Sequence, residues 1–171
     1  MRFVSKIALG AAALLAMGGT AMAADLMAPP PPAAAVTSGW DGLYIGAQGS
    51  YANDPTGSWV SGDFIVGGNL TVSDSFLLGL EGGLGGYYLL GGGGTGSEET
   101  IAVRAGFIAG GSTLLYGVVG DQWYNFTGSG SPFIGGGIEF KASDQMSVRV
   151  QAVTFGSSDF QLSTGVFWHM Q

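Results

Sequence analysis

Five charged residues stand within otherwise apolar, alternating stretches of this chain: Glu81, Arg104, Glu139, Lys141 and Arg149. Carboxylates and cations held together away from water form ion pairs, whereas a lone buried charge is expensive. Such a set can act as a structural charge network inside a polar interior, or as a gate or ligand site there. Other reactive arrangements are poorer. His169 is the only histidine and no serine nucleophile pattern accompanies it, so it reads as an ordinary interfacial residue rather than part of a relay. Gly91, Gly93 and Gly96 satisfy G-x-G-x-x-G, but no helical stretch follows to offer its N-terminus to a pyrophosphate. The absence of cysteine removes thiolate chemistry and disulfides. The chain is therefore read as a non-enzyme with no catalytic residue, cofactor or metal site.

These charges must be positioned by strands. In Thr100 to Ala109, residues Ile101, Val103, Ala105, Phe107 and Ala109 fall on one side of an extended chain, and Thr100, Ala102, Arg104 and Gly106 on the other. A soluble sheet would turn the apolar face inward, but only 10% of the 171 residues are charged and 33 are glycine, too little charge to clothe an exterior. The pattern suits a sheet turned inside out, with an apolar surface in lipid and a polar lumen. After the N-terminus no apolar run reaches the roughly 18 residues a spanning helix needs. Eight alternating segments follow Trp40, near 42–51, 62–72, 76–88, 100–109, 113–124, 133–142, 146–155 and 160–169. Each approaches the roughly nine to eleven residues of a tilted spanning strand. The expected fold is all-β: an eight-stranded antiparallel transmembrane up-and-down β-barrel of the outer-membrane type, over 40–171.

Parity then assigns faces. Lipid-facing residues are Leu43, Ile45, Ala47, Phe64, Val66, Leu70, Phe76, Leu78, Leu80, Leu84, Ile134, Ile138, Phe140, Met146, Val148, Val150, Leu162, Val166 and Trp168. The stretch 114–124 is apolar on both faces, so its register stays open. Lumen residues are Gln48, Asn69, Thr71, Glu81, Arg104, Glu139, Lys141, Ser147, Arg149 and Gln151. If Ala142 pairs with Met146 across 143–145, Glu139 faces Arg149; Glu81 and Arg104 lie at similar depth on neighbouring strands. Aromatic belts are expected at both interfaces, Trp40 and Trp168 at the inner one and Tyr51, Trp59, Tyr87, Tyr88, Trp123 and Tyr124 at the outer. Outer loops are expected near Asp54, at 91–99, 125–132 and 157–159. Asp54, Asp63, Glu98, Glu99, Asp121 and Asp159 give an acidic outer half, read as solvated loops or as weak divalent-cation bridges to lipopolysaccharide phosphates.

Residues 1–23 read as a cleaved signal peptide, with Arg2 and Lys6, a short apolar core and Ala21-Met22-Ala23 before the cut. Its removal leaves three basic residues against twelve acids, a net charge of −9, which excludes a phosphate-binding footprint and hence nucleic acid. Residues 24–39, with Pro29 to Pro32 and Ala33 to Ala35, read as an extended Pro/Ala-rich periplasmic tether that could reach peptidoglycan.

Trp40-Asp-Gly-Leu-Tyr-Ile-Gly46, after a signal peptide and a proline-rich tether, resembles the opening of the small porin-like outer-membrane β-barrel domain family, the surface antigens of alphaproteobacteria. Gly135-Gly-Gly-Ile-Glu-Phe140 and Met146-Ser-Val-Arg149 are similar to that family's late hairpin. The resemblance implies a cell outer membrane protein that meets periplasmic chaperones and the barrel-insertion machinery, with lipid and lipopolysaccharide around it. Members usually end on an aromatic residue; this chain ends Phe167-Trp-His-Met-Gln171, so insertion is expected to rest on Trp168 or to be less efficient. Eight strands leave an interior about filled by side chains. The leading expectation is a structural, surface-exposed role in envelope integrity. The alternatives are a narrow channel past lumen glycines such as Gly67, Gly79, Gly83, Gly135 and Gly137, and loop-mediated adhesion or binding of a small ligand such as haem.

Overall fold

The structure is a computed structural model that describes residues 39–126 and 130–170. The segments read as signal peptide and tether lie, apart from residue 39, outside the described residues. Eight antiparallel strands run β1 Gly42–Asp54, β2 Gly57–Ser73, β3 Phe76–Leu89, β4 Gly94–Ala109, β5 Thr113–Tyr124, β6 Ser131–Lys141, β7 Met146–Thr154 and β8 Phe160–Met170. Each pairs with the next, and β1 also pairs with β8 from Leu43↔Met170 to Asn53↔Phe160, which closes the barrel. Closure leaves no strand with unpaired backbone groups along an edge, the condition for sitting in hydrocarbon.

Alternation holds along every strand. In β8, Gln161, Ser163, Phe167 and His169 are buried while Phe160, Leu162, Val166, Trp168 and Met170 are exposed. The exposed large side chains include Leu43, Phe64, Leu80, Val103, Val119, Ile134 and Val148, so the apolar face wraps the outside. β5 resolves in the same way: Leu114, Tyr116, Val118 and Gln122 are buried, and Leu115 and Val119 exposed.

Five strands exceed a membrane crossing, two of them by the most. β2 has 17 residues and β4 has 16, against roughly nine to eleven for a tilted span. The expected outer loop at 91–99 is thus corrected: only 90–93 turn, with Gly91 and Gly92 at φ 95° and 93°, a left-handed conformation open to glycine. Residues 94–99 continue β4, in register with β3 from Leu89↔Gly94 onward. The connection near Asp54 likewise shrinks to 55–56. The wall rises as extended hairpins where sequence composition, rich in Gly and polar residues, suggested loops.

The lumen glycines are filled by neighbours. A Cβ on Gly67 would lie 2.4 Å from the Tyr44 ring, and one on Gly137 2.4 Å from the Tyr116 hydroxyl. Replacing Gly67 by valine is expected to destabilise the barrel by about 1–3 kcal/mol through overpacking. Gly62, with nothing within 4 Å of its would-be Cβ, should accept alanine without loss. Urea titration followed by tryptophan fluorescence checks both.

Candidate functional site

The interior is built in layers along the barrel. At the end where β1 begins and β8 finishes, Trp40 is fully buried; its Nε1–H donates to Gly111 O at 2.9 Å and its ring meets His169 edge-on at 5.5 Å. Leu77, Ile108 and Leu114 pack in the same cluster. Above them lies the charged layer. Arg104 Nη1 is 2.7 Å from Glu139 Oε2 and 3.3 Å from Glu81 Oε1. Arg149 reaches the same two oxygens, with Nη1 2.7 Å from Glu81 Oε1 and Nη2 2.9 Å from Glu139 Oε2. Two guanidiniums and two carboxylates therefore balance.

Neutral groups complete this layer. Arg104 Nε and Nη2 donate to Asn69 Oδ1 at 3.2 and 2.9 Å. The Tyr44 hydroxyl donates to Glu81, and the Ser147 hydroxyl to Glu139. The guanidiniums also lie against aromatic faces, Arg104 4.8 Å from the Tyr44 centroid and Arg149 3.8 Å from that of Phe167. Flat, weakly hydrated guanidinium suits such stacking better than an ammonium would. Toward the far end come Ile65, Ala102, Val118, Phe133 and Val153, and among Gln48, Gln122 and Gln161 a cavity of about 20 Å³ remains, room for about one water.

Of the five charges singled out from sequence, the structure brings together Glu81, Arg104, Glu139 and Arg149. Lys141 stands apart: it lies at the end of β6, one inward position past Glu139, and its Nζ sits 5.1 Å over the Trp40 ring. Glu139 does face Arg149 across the β6–β7 turn. Tyr44, Tyr116 and His169 were not singled out for this layer. His169 is corrected from interface to lumen, since it is buried with Nε2 2.9 Å from Ser147 Oγ and 3.3 Å from Glu139 Oε1. Its parity opposite Trp168 was the available signal.

The belts are corrected by the same rule. Tyr51, Tyr88 and Trp168 face outward, as does Trp123, which alternates with buried Gln122. Trp40, Trp59, Tyr87 and Tyr124 turn inward: Trp59 pairs with buried Ala52, Tyr87 pairs with Ser61, which faces buried Ser50, and Tyr124 pairs with buried Glu98. Clustering by strand end locates an aromatic in depth but not on a face. Asp63 and Glu98 are also inside the barrel, 7% and 1% exposed, and do not belong to solvated loops. Glu99 faces outward and accepts from Ser97 Oγ at 2.8 Å and Phe126 N at 3.1 Å. Among the described residues no three His, Asp or Glu side chains gather as a metal site.

No family model matches the chain, and no curated protein matches its sequence. Solved structures do match in fold. A de novo designed transmembrane β-barrel is 16% identical, with a TM-score of 0.50, over 76% of this chain and 96% of that one. Ail, the attachment invasion locus protein of Yersinia pestis, solved with the heparin analogue sucrose octasulfate, is 14% identical with a TM-score of 0.51, over 76% and 97%. Neisserial surface protein A is 14% identical with a TM-score of 0.48, over 75% and 97%. The molecule is an eight-stranded antiparallel barrel of the outer-membrane type, and these likenesses extend to the fold alone.

Proposed function

We propose that this chain is an integral outer-membrane protein with a sealed lumen, serving envelope integrity and presenting its far end at the cell surface. One observation carries the reading: the interior is packed from the Trp40 plug through the four-charge layer to Phe133, and the cavity among Gln48, Gln122 and Gln161 holds only about 20 Å³. The chain ends and the connections 74–75, 110–112 and 142–145 face the periplasm, the signal peptide and tether precede the barrel, and Tyr51, Tyr88, Trp123 and Trp168 sit at the two interfaces. Membership of the small porin-like family, passage through periplasmic chaperones and the insertion machinery, contact with lipopolysaccharide, and reach to peptidoglycan belong to the same reading. Divalent bridging to lipopolysaccharide would fall to Asp54, Glu99, Asp121 and Asp159.

The expected result in a planar bilayer is a folded barrel, verified by a heat-dependent gel shift, with no steady single-channel conductance. Steady conductance altered by Arg104→Ala or Arg149→Ala would instead establish the narrow channel. That alternative relied on space beside lumen glycines, which Tyr44, Tyr116, Thr100 and Val153 occupy. Loop-mediated adhesion or haem-like binding has less support, because 94–99 belongs to the wall. The polyanion in the Ail complex is a poor guide here: the far end carries carboxylates and the three basic residues after Lys6 lie elsewhere.

A further inference from the structure

At the far end the barrel opens into a cavity of about 250 Å³ that the charged layer does not use. Its walls include Trp59, Tyr87, Tyr124 and Phe155, and its lining also includes Asp54 and Asp159. Trp59 and Tyr87 each meet the Tyr124 ring edge-on, at 6.4 Å and 84° and at 5.4 Å and 85°. In an edge-on pair one ring's edge meets the other's face, so Trp59 and Tyr87, each paired only with Tyr124 in this cluster, keep at least one face outside the pair.

The electrostatics of this mouth have one sign. Asp54 is bound by the Thr56 hydroxyl and by the amides of Thr56 and Gly57, which hold its carboxyl below the ordinary range and keep it charged at neutral pH. Glu98 lies directly across from Tyr124 on β4, and Asp63 lies further into the barrel than Trp59 on β2; both are buried beside one another, and such a carboxyl pair retains a proton, so the lasting charge of the mouth rests on Asp54 and Asp159. Glu98 also accepts from Gln122 Nε2 at 3.2 Å. Among the described residues no cation offsets these groups, since Arg104 and Arg149 are committed to Glu81 and Glu139 and Lys141 sits over Trp40 at the opposite end.

We propose that this mouth binds a small soluble organic ammonium ion, with Trp59, Tyr87, Tyr124 and Phe155 supplying π faces and Asp54 and Asp159 the counter-charge. Aromatic faces beside carboxylates favour a diffuse, weakly hydrated cation. A bare divalent metal is a poor fit, because it needs six to eight oxygen ligands and the walls are rings. An anion is repelled. The volume falls below the roughly 300–1,000 Å³ of pockets for drug-sized ligands, so the guest is a compact head group.

The test is calorimetric titration of the refolded protein, in an alkyl-glucoside detergent that carries no ammonium group, with choline and with its neutral carbon isostere 3,3-dimethylbutan-1-ol. Choline should bind saturably with a dissociation constant of about a millimolar or below, and the isostere at least about tenfold more weakly. Trp59→Leu should weaken choline about tenfold. Asp159→Asn, in a turn, should weaken it and flatten its salt dependence. A heat-dependent gel shift verifies that each variant is folded. Equal binding of the isostere would reduce the mouth to an apolar pocket and overturn the proposal. So would the absence of choline heat, or choline affinity unchanged in both variants.

Discussion

Replacing Glu139 with glutamine is expected to lower the unfolding free energy by about 3–5 kcal/mol, the range for breaking a buried ion pair from one side. Glutamine keeps the shape of the side chain, so the loss reports charge. Glu139 is fully buried, and its Oε2 faces Arg104 and Arg149 together while Oε1 accepts from Ser147. Without that carboxylate two guanidiniums share Glu81 alone. The double variant Glu139→Gln/Arg149→Met restores neutrality and should recover part of the loss, since replacing both partners leaves no uncompensated charge. Urea titration in phospholipid vesicles, read by tryptophan fluorescence and by gel shift, measures both. A single-variant loss below about 1 kcal/mol would mean that water reaches these charges as it reaches a surface pair, and the sealed-lumen reading would fail.

The second large effect concerns the outside. Val103 is half exposed on β4, flanked across the sheet by outward-facing Leu80 and Val119. Val103→Arg should cost about 2–4 kcal/mol when the barrel is folded in a bilayer, because the charge meets hydrocarbon near the midplane. Tyr51→Arg, also outward but close to the far end of β1, should cost only about 0–1 kcal/mol for its charge. The difference between the two positions is the informative quantity. Equal costs in bilayers would show that the apolar surface does not sit in hydrocarbon.

Strand number, closure and facing were legible because alternation is a local property that eight segments repeat. β5 shows the limit. Its bounds, Thr113–Tyr124, were readable, but Leu114, Leu115, Val118 and Val119 place apolar residues on both faces, so only pairing with β4 and β6 decides which side is inward. The start of β4 was illegible for a different reason: Gly94 and Gly96 have low strand propensity, and their pairing with β3 overrides it. Misplacing that boundary also hid Glu98. In the charged layer, the β6–β7 turn fixes one pair by register, whereas the approach of Arg104 to Glu139 joins strands that are not neighbours and follows only from closure. Tyr116 was hidden because β5 is apolar on both faces, whereas Tyr44 alternates with outward-assigned Leu43 and Ile45, and that parity was its available signal.

The charged layer also bears on how such a barrel enters a membrane. Its acid and base are dealt out in adjacent strands: Glu81 on β3 with Arg104 on β4, then Glu139 on β6 with Arg149 on β7. Each of these hairpins carries no net charge in its middle. Two strands that insert together therefore bring their own counterion into the hydrocarbon, long before the ring is complete. Exchanging the two glutamates' partners between hairpins happens only at closure, when the four groups fuse into a single knot of charge. The assembled charged layer is neutral, and so is the middle of each hairpin that delivers those charges to it.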